Sequence, residues 1–226
     1  MKPHFFCTFL LLLISPFGYA QQLLLEGNLE AWSAQAHKGH TQYQPMMDME
    51  QGVVIQAISH NSASSLRFSK EINLNNTPIL KWQWTAQQLP FALKVGEDGI
   101  ERRLTQFDET QSSGDDFVLR MSVGQEPLFG SAKTLHYVWS ANEPIGSHWA
   151  IGRHTRVLVI SGEQQPLMQW QTPMRHVQAD WLEVFGEKIE SLDFVEIMTD
   201  SDAIQGQAIG YYGDMQMLAG RRLASD

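Results

Sequence analysis

Hydrophobic and polar residues alternate along much of this chain, and that period of two predicts strands rather than helices. Leu80, Trp82, Trp84 and Ala86 interleave with Ile79, Lys81, Gln83 and Thr85. One face of this segment therefore carries two tryptophans, as a core ridge or as an aromatic platform for sugar rings. Phe117, Leu119, Met121 and Val123 alternate with Asp116, Val118, Arg120 and Ser122, which places an acid and an arginine on one strand face. Leu135, Tyr137 and Trp139 alternate with His136, Val138 and Ser140, and Leu66, Phe68 and Ile72 with Arg67, Ser69 and Glu71.

Further strands are expected at 42–46 and 52–58, around a turn at 48–51, and at 192–199 and 207–218. In the last of these the alternation puts Tyr211 with Met215 and Tyr212 with Asp214. The nearly continuous apolar run 156–161 before Gly162 suits a strand covered on both faces. Residues 23–25 predict an edge strand, 34–39 show little pattern, and 87–114 read as one long loop, either functional or a tolerated insertion. The period changes once: Val177, Trp181, Val184 and Phe185 fall at helical spacing, with Gly186 as the stop. The fold expected is all-β, a single jelly-roll-like antiparallel β-sandwich with one short helix.

Residues 1–20 read as a secretory signal: Lys2, a short apolar run over 5–14, and Gly18-Tyr19-Ala20 as a small-x-small cleavage site. A domain over 21–226, periplasmic or secreted, is the expected product. Its apolar leader is too short to span a bilayer, so no membrane span is expected after cleavage. Cys7 is the one cysteine and lies in the leader, so the mature chain has no thiol chemistry, disulfide or cysteine metal site to draw on. The formal charge of -9 becomes -10 with the loss of Lys2, a balance that argues against nucleic acid and anionic membranes as partners. A monomer binding a glycan or another polar small molecule is the expected state.

No nucleophile elbow, zinc-protease helix motif, P-loop or dinucleotide fingerprint occurs. Asp115 and Asp116 do not form a carboxylate pair, because adjacent strand residues point to opposite faces. The expected roles are turn capping for Asp115 and an ion pair with Arg120 for Asp116. Asp200 and Asp202 begin like a calcium loop, but Ile204 and Gln205 break it, leaving a turn held by the aspartates' own side chains. His37 and His40 lack a third ligand and read as surface residues. The candidate ligand-binding residues are Asp116, Arg120, Trp139, Arg175, Asp180, Asp200 and Asp202, because arginine forks and carboxylates suit paired hydroxyls. Internal ion pairs explain the same residues without a ligand. The main reading is an exported, non-catalytic glycan-binding module. Its rivals are a polysaccharide lyase or hydrolase using Arg120, Asp116, His136 and Asp180 in one cleft, and a structural protein of the envelope.

Ser62-Ala63-Ser64-Ser65-Leu66, Thr77-Pro78 through Trp84, Gly114-Asp115-Asp116-Phe117 with Arg120, Leu135 through Trp139, Arg175 through Asp180, Ile197 through Asp202 and Ala208 through Asp214 run in order along the chain. In these segments the chain resembles a family of exported bacterial proteins catalogued only as a domain of unknown function. The family's usual arginine-aspartate pair stands here as Arg175-His176, so a scheme needing a carboxylate there loses it. A second resemblance, to jelly-roll carbohydrate-binding modules, implies a structural calcium between the chain ends, held by Glu26 and Asp214.

Overall fold

The structure, a computed structural model, describes residues 20–24, 26–162 and 164–220. Most of the expected leader and the tail from Arg221 lie outside them. Fourteen strands and one helix follow in order: β1 (Ala20–Leu24), β2 (Trp32–Lys38), β3 (Gln42–Asp48), β4 (Gly52–His60), β5 (Ala63–Asn73), β6 (Ile79–Val95), β7 (Glu101–Leu104), β8 (Leu119–Gln125), β9 (Lys133–Trp139), β10 (His148–Ile151), β11 (Thr155–Ser161), β12 (Met174–His176), α1 (Val177–Phe185), β13 (Ser191–Asp200) and β14 (Gln207–Leu218). No helix among the described residues is long and apolar enough to cross a membrane.

The strands form two sheets packed as a jelly-roll-like β-sandwich. The first has the order β12-β6-β14-β4-β3, with β1 beside β14 and β7 beside β6; the second runs β10-β11-β9-β8-β13-β5-β2. The fold is the antiparallel sandwich expected, with one parallel pair among the described strands, β11 beside β9. The core lies between the sheets and is built from the apolar faces that the alternation marks. Leu80, Trp82, Trp84 and Ala86 from the first sheet meet Leu119, Met121, Val123, Leu135, Tyr137 and Trp139 from the second. Trp82 and Trp84 pack edge to face at 5.2 Å, and Trp84 meets Trp139 at 6.5 Å, a geometry favoured by the aromatic quadrupole. The two tryptophans are a core ridge and not a sugar platform.

Three local expectations are corrected. β6 continues to Val95 and turns back as β7, so the expected loop over 87–114 is half hairpin, and the irregular stretch is 105–118. Residues 32–38 form β2, the edge strand beside β5, despite their weak pattern. In β14 the pairing with β6 shifts register between Tyr212 and Met215, which turns both side chains into the core. The inserted residue of a bulge reverses the facing of everything beyond it.

α1 ends as expected: Gly186 adopts φ 72° and its N–H donates to the Leu182 carbonyl at 2.9 Å. Its N-cap is His176, whose Nδ1 accepts from the Ala179 N–H at 3.4 Å. An aspartate suits that position equally well, so the histidine after Arg175 takes over a capping role with a ring nitrogen.

Candidate functional site

Strand β8 brings Leu119, Met121 and Val123 to the core, which turns Arg120 and Ser122 to the outer face of the second sheet. Register pairs Arg120 with Met198 of β13 on one side and Val138 of β9 on the other. The end of β13 sets Asp200 beside this row, and the turn to β14 carries Asp202. Gly206 closes that turn where any side chain would strike the Phe91 carbonyl, since a Cβ there would lie 2.2 Å from its oxygen.

Arg120 is buried and donates from Nη2 to Asp200 Oδ2 at 2.6 Å and to the Asp115 carbonyl at 3.2 Å. The Asp115 carboxylate lies 3.5 Å from the same nitrogen. Asp200 Oδ1 accepts the Phe117 N–H at 2.8 Å. Asp116 does not pair with Arg120 as expected. Its two oxygens accept the backbone N–H groups of Ala203 at 3.1 Å and Ile204 at 2.8 Å. The roles expected of Asp115 and Asp116 are thus exchanged, and the 201–206 turn is held by an aspartate eighty-odd residues away and not by its own.

Burial alone would push the Arg120 guanidinium down, but Asp200, Asp115 and Asp116 outweigh it and keep it charged. Burial raises the Asp115 carboxyl, with Arg120 pulling it back, and burial raises Asp116 against the lowering pull of the two turn N–H groups. Asp116, Asp200 and Asp202 each offer an oxygen within 4.8 Å of the others. Both oxygens of Asp116 and of Asp200 already accept hydrogen bonds, and Arg120 supplies the cation, so the trio is an internal ion cluster.

Above this cluster opens a depression of about 430 Å³, lined in part by Lys38, Ser112, Asp115, Asp202 and Gln205, with Arg120, Asp200 and Met198 in its floor. Lys38 Nζ lies 3.0 Å from the Asp202 carbonyl and 3.4 Å from its carboxylate. Asp115 Oδ1 and Arg120 Nε are buried there without a hydrogen-bond partner. The floor is fixed by the fold and keeps one unpartnered donor in Arg120 Nε, and the rim carries further polar groups.

The remaining candidates lie elsewhere. Trp139 is fully buried in the core and offers no surface to a ligand, because its place in β9 faces the opposite sheet. Asp180, in the first turn of α1, accepts from Arg175 Nε and from the Tyr137 hydroxyl, each at 2.9 Å, a structural ion pair. His136 hydrogen bonds through Nδ1 with Ser122 Oγ at 2.7 Å. Burial, and then Arg120, push its pKa well below the ordinary histidine range. A single cleft of Arg120, Asp116, His136 and Asp180 does not form: Tyr137, which binds Asp180, and His136 are neighbours in β9 and face opposite sides of the sheet.

The chain ends do meet, with β1 paired to β14, but Glu26 and Asp214 join through a hydrogen bond from the Glu26 N–H to Asp214 Oδ1 at 3.0 Å. The two acids expected to hold calcium are thus in backbone-to-side-chain contact, and neither residue belongs to the acidic cluster described above.

A second depression, of about 320 Å³, lies on the outer face of the first sheet, where Met46, Val54, Thr85, Met168, Trp170 and Tyr211 are among its lining residues. Gln56 donates to the Tyr211 hydroxyl at 2.9 Å and accepts from Gln44 at 2.8 Å, and Tyr211 donates to Gln87. None of these residues stood among the sequence candidates. The available signal was the recurrence of glutamine at polar positions of paired strands, Gln44 opposite Gln56.

Three solved structures align with most of the chain. The family 11 carbohydrate-binding module of the cellulosomal cellulase Lic26A-Cel5E of Clostridium thermocellum aligns at 6% identity and TM-score 0.48, covering 92% of this chain and 98% of that one. The family 11 module from Clostridium thermocellum in complex with a β-1,3-1,4-mixed-linked tetrasaccharide aligns at 8% and 0.42, covering 89% and 95%. A cellulase derived from Cel12A of Rhodothermus marinus aligns at 11% and 0.42, covering 88% and 100%. Such likeness carries no ligand or reaction over to this chain. No curated protein matches it. Residues 28–216 match the family described as "Protein of unknown function (DUF3047)", and the chain belongs to that family.

Proposed function

We propose that the protein is an exported, non-catalytic module that binds a hydroxyl-rich glycan in the depression over Arg120. The observation that carries this reading is the arrangement of that depression: a floor locked by internal hydrogen bonds, and a polar rim in which Lys38, Ser112, Asp115, Asp202 and Gln205 supply both donors and acceptors. A sugar hydroxyl both donates and accepts, so it matches such a rim, and a preformed floor spares the ordering cost of binding. Among the described residues lining the depression, Asp115, Asp200 and Asp202 outnumber Lys38 and Arg120, so the field favours neutral sugars over uronic acids. Export follows from the leader-like residues 1–20. Cleavage after Ala20 leaves Gln21 to open β1 opposite Met217, so the strand keeps its pairing.

The test is affinity electrophoresis of the chain beginning at Gln21 through gels containing neutral or uronic polysaccharides. Retardation by a neutral polysaccharide, lost in a Lys38→Ala/Asp202→Ala/Gln205→Ala variant of unchanged melting temperature, is expected. A wild-type chain that no polysaccharide retards, or a variant retarded as strongly as wild type, refutes the binding site. Co-purification of envelope proteins without glycan retention is the result a structural role would give. Fractionation with N-terminal sequencing checks export; a product that retains Lys2 in the cytoplasm overturns it.

A further inference from the structure

Methionine is used here in two ways. Met121, Met215 and Met217 are fully buried, whereas Met46, Met47, Met49 and Met168 are 43%, 72%, 103% and 57% exposed. Met46, Met49 and Met168 line the depression of the first sheet, together with Trp170. Burying a methionine side chain contributes roughly 1.5–3 kcal/mol, so three left in water at one place forgo a gain the fold could take. What a thioether offers on a surface is a soft, uncharged sulfur lone pair that needs no deprotonation before it binds a metal.

The backbone around these residues is fixed while the side chains are free. Asp48 Oδ1 accepts the N–H groups of Glu50 at 2.8 Å and Gln51 at 2.9 Å, which sets the turn carrying Met46, Met47 and Met49. Met168 sits at φ 59°, a left-handed conformation rare for a side chain of its size, and its N–H donates to the Ala86 carbonyl at 2.8 Å, clipping its segment to β6. Asp48 and Glu50 add negative charge to the lining, and Trp170 adds an aromatic ring that attracts a cation.

We propose that this depression binds a soft monovalent cation, copper(I) or silver(I), through the thioethers of Met46, Met49 and Met168, beside Trp170; Met47, in β3 opposite Val53, points to the other face of the strand and is not a ligand. The site lies on the other sheet from the glycan depression and stands or falls independently of it. Hard cations such as calcium or magnesium do not compete, because sulfur is a poor ligand for them.

The experiment is an anaerobic copper(I) titration of the purified chain against a chromophoric competing chelator, with a parallel silver(I) titration followed by tryptophan emission. One ion per chain and a change in emission are expected. The Met46→Leu/Met168→Leu variant, which keeps side-chain volume and melting temperature, is expected to lose affinity by about tenfold or more. Trp170→Phe is expected to lose most of the emission change while still binding the ion. Affinity unchanged between pH 8 and pH 6 accords with thioether ligands; binding that disappears at pH 6 points to histidine and overturns the proposal. So does wild-type protein that binds neither ion, or a variant with Met46, Met49 and Met168 all changed to leucine that binds as tightly as wild type.

Discussion

At one end of the second sheet Arg120 and Asp200 are buried against each other, while at the depression of the first sheet Met49 stands wholly in water and Met168 is more than half exposed. Both regions form depressions of comparable size on a sandwich face, yet they are constructed in opposite ways. A buried charge without a partner is expensive, so the fold has to satisfy Arg120, Asp116 and Asp200 internally before it can close over them, and their geometry becomes part of the fold. An exposed thioether has no comparable requirement. Its backbone is set by the Asp48 turn and by the clip at Ala86, and its sulfur stays adaptable. Rigidity at the first site comes from electrostatic necessity, and freedom at the second from its absence.

The strongest way to break this contrast is Asp200→Ala. It leaves a buried guanidinium unpaired and frees the Phe117 N–H, and the expected cost is about 3–5 kcal/mol in urea unfolding. A double variant Asp200→Leu/Arg120→Met, which removes both charges, is expected to recover a good part of that loss. A cost below about 1 kcal/mol for the single variant would show that the pair does not organise the site.

A smaller effect is expected from pH. The folded chain holds His136 neutral, because burial and Arg120 depress its pKa, while the unfolded chain takes up a proton below about pH 6.5. Its contribution to stability is therefore intact above pH 6.5 and lost as pH falls, at up to about 1.4 kcal/mol per pH unit. Stability measured from pH 7.5 to pH 5 in wild type and His136→Gln isolates this slope as the difference between them; identical slopes would contradict the assignment.

The smallest effect is expected on the first sheet. Met46→Leu conserves volume at an exposed position and is expected to change stability by no more than about 0.5 kcal/mol. A loss of several kcal/mol there would erase the contrast, since it would make the methionines part of the packing.

The faces of β6, β8 and β9 were legible because side-chain direction in a strand follows from position alone. Trp82, Trp84, Tyr137 and Trp139 all lie on the side their alternation assigns. The helix was legible from its change of period and from Gly186. At the site, the residue types were legible and the pairings were not. The alternation puts Asp116 with Arg120, whereas the strand begins only at Leu119 and Asp116, ahead of it, turns to the 203–204 amides instead. The alternation does not give the facing of Tyr212 and Met215, because a bulge depends on the partner strand. Trp170 gave no signal, since its segment is held by bonds to Trp84 and Ala86, far off in sequence.

The sequence by itself determined that the chain is built of strands, which of their faces are apolar, and which charged and polar side chains would need partners. Those properties are local, set by the two-residue period and by side-chain chemistry. Only the tertiary structure decided that Arg120 belongs to Asp200, that Asp180 belongs to Arg175 and Tyr137, that Trp139 is core, and that Met46, Met49 and Met168 share one depression. Those facts depend on which strands lie side by side and in what register. In a sandwich joined by pairings of high sequence separation, that information resides in the packing of the whole chain.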